Sequence, residues 1–127
     1  MIHVRKAEDG KVRQQIDADG HTVFADTSVT NGGDDSAPDP HALLDAALGA
    51  CTALTVTLVA QRRQIPLQDV RVSISHKEAN GVYSMDRQIE LIGELSEEQR
   101  EFLLGIANRC PVHRTLTGHI EIETHLV

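Results

Sequence analysis

Tryptophan is absent from this 127-residue chain, and the other large aromatics are scarce, one Tyr and two Phe. Basic residues are also in deficit, 12 Lys and Arg against 19 Asp and Glu, for a net charge of -7. A nucleic-acid binder needs a basic footprint and usually aromatic stacking platforms, so that class is excluded and a small-molecule target is expected. Cysteine is equally sparse, with Cys51 and Cys110 alone, which excludes a disulfide scaffold. The opening MIHVRKAEDG has no apolar h-region of the kind a secretory signal carries, and a cytoplasmic location is expected. In that reducing setting two cysteines are either inert packing or chemistry: redox, nucleophilic or metal-binding. One apolar stretch, residues 42–60, raises the question of a membrane span. Asp45, three threonines and many small residues argue against it, and no membrane association is expected.

A chain of this length forms one domain, residues 1–127, with a real core. It is organised around the stretch from Asp39 to Arg63. Asp39 before Pro40 is a helix-start signal, because the carboxylate can cap free N–H groups and proline at the first helical position gives up none that was needed. Leu44, Leu48, Cys51, Leu54 and Leu58 then recur at steps of four and three, which predicts a buried leucine face with Cys51 in its middle. Ala46, Ala47, Gly49, Ala50 and Ala53 let another backbone approach, and Gly49 is a candidate kink. Arg62, Arg63 and Pro66 end the helix. At 1.5 Å per residue it spans roughly 35 Å, against a radius of gyration near ~14 Å for such a chain. It therefore crosses the domain and is expected to meet a partner outside it.

Before this helix, IHVRKA, KVRQQI and HTVFAD are punctuated by Asp9-Gly10 and Asp19-Gly20, which predicts a three-stranded antiparallel meander. Residues 30–40 read as an exposed loop. After the helix, Val70, Val72 and Ile74 alternate with polar residues, and Asn80-Gly81 marks a turn into a strand around 87–93. Ser96-Glu97-Glu98-Gln99 is a capping box ahead of an apolar face of Phe102, Leu103, Ile106 and Ala107. Cys110-Pro111 opens a short helix that Gly118 ends, and Ile120, Ile122 and Thr124 predict a last strand. Strands and helices in this order make an α+β fold rather than a regular βαβ series.

Two readings of the cysteines stand side by side. In one, Cys51 is a small core hydrophobe and Cys110 a helix-start residue. In the other, one thiolate attacks a hydroperoxide, becomes a sulfenic acid and is captured by the second thiol as a disulfide. An unperturbed thiol is only about 3% thiolate at pH 7, and burial lowers that fraction, so the second reading needs a cation or donor beside Cys51. Arg5, Arg13 and His41 are the candidates upstream of it. The Cys-x-x-His spacing of Cys110 and His113, with Cys51 and His41, supplies a single short ligand pair, too little for a closed zinc site. His113 as an acyl-transfer base, and His119 and His125 on the last strand, read as surface residues, as do Asp34-Asp35 and Glu97-Glu98.

The stretch ALLDAALGACTALTV, followed by CPVHRTLTG, resembles the OsmC/Ohr family of osmotically inducible and organic hydroperoxide resistance proteins, with the element order matching along the whole chain. The resemblance implies an intertwined α+β homodimer, antiparallel sheets around a long central helix, and active sites at the subunit interface. It implies Cys51 as peroxidatic and Cys110 as resolving cysteine of a thiol-dependent peroxidase. Organic hydroperoxides would be its substrates and a dithiol or lipoylated protein its reductant, with no bound cofactor or metal. Characterised members carry a glutamate ten residues before the first cysteine that holds an arginine against the thiolate. His41 stands at that place here, which allies the chain with the OsmC-like branch and leaves Arg13 and His41 as the candidate thiolate activators. The alternative is a non-enzymatic protein holding a small apolar ligand at the dimer interface.

Overall fold

Asp19 (φ 49°) and Gly20 (φ 92°) both take left-handed backbone, which matches the twist of the two strands they join. These are β2 (Gln14–Ala18) and β3 (His21–Ala25), with β1 (Ile2–Lys6) on the other edge of β2. All pairings are antiparallel, and Ile16 is the partner of Val4 on one side and Val23 on the other. The expected meander is present. Its second strand starts three residues later than the sequence suggests, because the turn at Gly10 (φ 81°) is wide and closes with Ala7 N–H on Arg13 O. This sheet belongs to the first of two compact units of the computed structural model, Met1–Leu44 and Asp45–Val127, which together describe residues 1–127.

The loop that follows is less open than its composition implies. Asp26 is buried, and its carboxylate accepts the N–H groups of Thr27, Asp34 and Ser36 and the Ser36 hydroxyl. The Ser36 hydroxyl, then the Ser36 and Thr27 N–H groups, pull its pKa from 3.8 down to about 2, against the opposing effect of burial. Gly33 passes so close that a Cβ there would lie 2.3 Å from Thr27 O, so only glycine fits.

Helix α1 (Pro40–Arg62) starts as expected, with Ala42 N–H on Asp39 Oδ1 at 2.8 Å, and ends before Gln64, which takes left-handed backbone (φ 55°). Gly49 produces no break; it faces Ile74 and Val72 of the following strand, and a Cβ there would make ordinary van der Waals contact with Ile74 Cδ1 at 3.4 Å. The predicted leucine face requires correction. The buried residues are Leu48, Thr52, Val56 and Ala60, spaced four apart, whereas Leu54 and Leu58 are 60% and 40% exposed. The smaller side chains form the stripe where neighbouring elements pack. The core gathers Val56 and Ala60 against Leu103 and Ala107, with Val70, Ile89 and Leu91 around them. By length and composition α1 could cross a bilayer, but its Val56 and Ala60 side is packed in this core.

β4 (Asp69–Ala79) and β5 (Val82–Ile92) form an antiparallel hairpin closed by Asn80 and Gly81, both left-handed. Helix α2 (Glu97–Ala107) carries the predicted capping box in full: Gln99 N–H donates to Ser96 Oγ, and Ser96 N–H to Gln99 Oε1. Helix α3 (Pro111–Thr117) follows, with Cys110 as its cap residue. The architecture is thus α+β, with antiparallel sheets and a long central helix. The last predicted strand is not formed. Residues 118–127 pair with no sheet edge, and Ile122 is 84% exposed. Alternation shows that a segment could be a strand, but a strand needs a neighbour to complete its hydrogen bonds.

Candidate active site

Three elements of the second unit converge on the cysteines. α1 contributes Cys51 and Thr52, one on the edge of its packed face and one within it; β5 contributes Arg87; the start of α3 contributes Cys110 and His113. Cys110 takes extended backbone (φ -63°, ψ 148°), and Pro111 after it starts the helix without needing an N–H acceptor. The next free N–H, that of Val112, donates to Cys51 Sγ at 3.5 Å. The two cysteines, remote in sequence, thus meet at one turn of chain, and the Cys51 side chain hydrogen-bonds to Cys110. Cys51 is half-buried and Cys110 fully buried, both as free thiols.

Thr52 joins the pair to its cation. Its Oγ1 lies 2.7 Å from Leu48 O, 3.8 Å from Cys110 Sγ and 3.0 Å from Arg87 Nη1, which donates to it. The single hydroxyl hydrogen can go to the carbonyl or to the sulfur. Arg87 Nη2 donates to Asn108 Oδ1 at 2.9 Å and lies 3.1 Å from His113 Nδ1, which can accept through its ring lone pair. All three acceptors are uncharged, and no carboxylate neutralises the guanidinium. Burial pushes the Cys110 thiol up, but the His113 N–H, the Thr52 hydroxyl, the Cys51 side chain and the Arg87 charge together bring it below its usual value.

Beside this cluster is a cavity of about 240 Å³ lined by the apolar side chains of Leu48, Met85 and Leu116 and by the polar ones of Arg87, His113 and Thr117. Tyr83 forms another wall and is braced from behind. Its hydroxyl donates to Asp45 Oδ1 at 2.6 Å, Asp45 Oδ2 meets His76 Nδ1, and the His76 ring stacks on Tyr83 with centroids 4.8 Å apart. A site with a thiol pair, a fixed cation and an apolar cavity can bind a molecule with one polar, reducible end and a hydrocarbon remainder.

The activators anticipated from sequence, Arg13 and His41, lie in the first unit. Arg13 lies over the Phe24 ring at 4.0 Å and pairs with Asp9 at 3.7 Å; His41 is exposed on the first turn of α1. The cation in contact with the thiol network is Arg87, which sequence reasoning missed, together with Thr52 and Asn108, and His113 is part of the network rather than a surface residue. A signal was present: Arg87 shares the phase of Tyr83, Met85 and Ile89 along β5, the side the strand turns inward. No three His, Cys, Asp or Glu side chains gather into a metal-binding group.

Residues 33–125 match the family described as OsmC-like protein. Comparison with curated proteins finds no match. Among solved structures the chain is similar to an OsmC-like protein from Mycoplasma pneumoniae, with 22% identity, a TM-score of 0.76, and 93% of this chain and 86% of that one covered. It is also similar to an organic hydroperoxide resistance protein OsmC, titled a predicted redox protein, from Legionella pneumophila, with 20% identity, a TM-score of 0.64 and coverage of 93% and 90%. The organic hydroperoxide resistance protein OhrB of Bacillus subtilis matches at 17% identity and a TM-score of 0.62, with 93% and 90% covered. At these identities the structures establish the shared fold.

Proposed function

The chain belongs to the OsmC-like family, and from that premise we propose that it is a single-domain, cytoplasmic, homodimeric thiol peroxidase that reduces organic hydroperoxides. The observation that carries this reading is the meeting of the two thiols at the Val112 and His113 N–H groups with an unneutralised Arg87 alongside. Cys51, the more accessible sulfur, attacks the distal peroxide oxygen; the O–O bond breaks, the alcohol leaves, and a sulfenic acid remains. Cys110 then attacks that sulfur, expelling hydroxide, which is protonated to water, and forming the disulfide. An external dithiol, free or on a lipoylated protein, takes up the oxidation and restores both thiols. No metal or bound cofactor enters the cycle.

The apolar cavity walls favour an alkyl hydroperoxide over hydrogen peroxide. The outward leucines of α1 and the exposed Ile120 and Ile122 favour a second copy as their cover. The rival is a binding protein that uses the same cavity for a small apolar ligand without turnover. Stopped-flow oxidation of the reduced protein by cumene hydroperoxide and by hydrogen peroxide, with mass spectrometry of the product, separates the two. Rapid loss of both thiols with a Cys51–Cys110 disulfide and preference for the organic peroxide is expected. Slow, unselective oxidation would favour the binding protein.

A further inference from the structure

The surroundings of the two sulfurs are unequal. Cys110 Sγ is wholly excluded from solvent and receives the His113 N–H, with the Thr52 hydroxyl oxygen 3.8 Å away and Arg87 behind it. Cys51 Sγ is half-buried, and beyond its neighbour it meets only the Val112 N–H at 3.5 Å and Thr55 Oγ1 at 3.9 Å. The titratable and charged groups facing Cys110 are Cys51 from α1, Arg87 from β5 and His113 from α3.

When such a pair is joined as a disulfide, an incoming thiolate can attack either sulfur. Access and leaving-group quality decide, and the sulfur better stabilised as thiolate departs faster. Both criteria select the same outcome. We propose that Arg87 is the positioning residue that holds Cys110 as thiolate, so that a reducing thiol attacks Cys51 and Cys110 is always the sulfur released. The step balances without a proton. The attacking thiolate forms a new S–S bond to Cys51, the Cys51–Cys110 bond breaks, and its electron pair leaves on Cys110. The second thiol of a dithiol then attacks the mixed disulfide and frees Cys51. In the catalytic cycle this rests on the peroxidase reading, but the exchange itself requires no peroxide.

The test uses the full-length disulfide made with diamide. Limiting glutathione, an acid quench and peptide mass mapping should place the glutathione adduct on Cys51; an adduct on Cys110, or an even distribution, overturns the proposal. Arg87→Met should slow the exchange about tenfold as the leaving sulfur loses its charge partner. In a Cys51→Ser background it should also move the pH at which Cys110 shows thiolate absorbance upward, while Arg87→Lys keeps most of the effect. A purely structural Arg87 would lower thermal stability and leave that pH unchanged, which would refute the assignment. Should Arg87→Met not fold, Asn108→Ala removes one anchor of the guanidinium without touching sulfur, and a smaller upward move is expected; no move refutes. If the adduct lies on Cys51 but hydroperoxides leave the reduced protein intact, only the peroxidase reading fails.

Discussion

Each unit contains one charged side chain that organises its surroundings, and the two do so by opposite routes. Asp26 draws its donors from Thr27, Asp34 and Ser36, all within ten residues of it, and the product is a folded loop. Arg87 draws its acceptors from Thr52, Asn108 and His113, which lie 35, 21 and 26 residues away and on three other parts of the fold. A locally satisfied charge shapes the chain that carries it. A charge satisfied only by tertiary structure is delivered to a place that no short segment could build, and here that place holds two thiols. Asp26 also exhausts its charge on four donors, whereas Arg87 spends three hydrogen bonds on neutral atoms and keeps its field for sulfur.

The sharpest way to break this contrast is to remove the chemistry from one side. Cys51→Ser should reduce hydroperoxide turnover by about a thousandfold or more, since serine cannot replace the thiolate nucleophile. Cys110→Ser should retain the first oxidation in single-turnover stopped flow and lose the disulfide. Asp26→Asn should leave both phases unchanged at neutral pH. Undiminished oxidation in Cys51→Ser would mean that Cys110 is the attacking thiol and that the roles assigned here are reversed.

A smaller effect is expected from Thr52→Val, which keeps the shape and removes the hydroxyl between Arg87 and Cys110. Nη1 of the half-buried Arg87 then loses its acceptor, at a cost of about 1 kcal/mol in denaturant unfolding, and disulfide formation slows several-fold. If stability falls while disulfide formation keeps its rate, Thr52 is a packing residue, and the link from the guanidinium to sulfur is not functional.

The same contrast explains what could be read from the chain beforehand. Asp19-Gly20, Asn80-Gly81, the Ser96 capping box and the Asp39-Pro40 start are all devices whose partners lie within a few residues, and each stands where expected. Whether Leu54 or Val56 of α1 faces the core depends on what packs there, and helical periodicity permits either stripe; leucine's greater hydrophobicity pointed to the wrong one. The strand expected at Ile120 failed for a related reason, because its hydrogen-bond partner is not in its own segment. Arg87 was not legible as the cation because it follows Cys51 in the chain and its partners Thr52, Asn108 and His113 are brought to it only by tertiary structure. The inward phase of β5 carried the better signal, since an arginine in line with the half-buried Tyr83, Met85 and Ile89 is turned toward the packed side of the strand, where its donors need acceptors.

The mildest test concerns the local charge alone. The folded-state pKa of Asp26 is about 2, below the 3.8 of the unstructured residue, so folding favours its ionised form. Its contribution is fully present above pH 3.8 and is lost as the pH falls from there through about 2. Asn at this position keeps one acceptor but turns an NH₂ group toward the donors of Ser36 or Asp34, so the loop loses its centre at every pH. Asp26→Asn should therefore be less stable than the parent at neutral pH, and the difference should narrow through the acid window as the parent loses its own carboxylate. Circular dichroism melts across that range measure the narrowing. A difference that does not change with pH would mean that Asp26 holds the loop by shape rather than by charge, and the contrast with Arg87 would then rest on the Arg87 side alone.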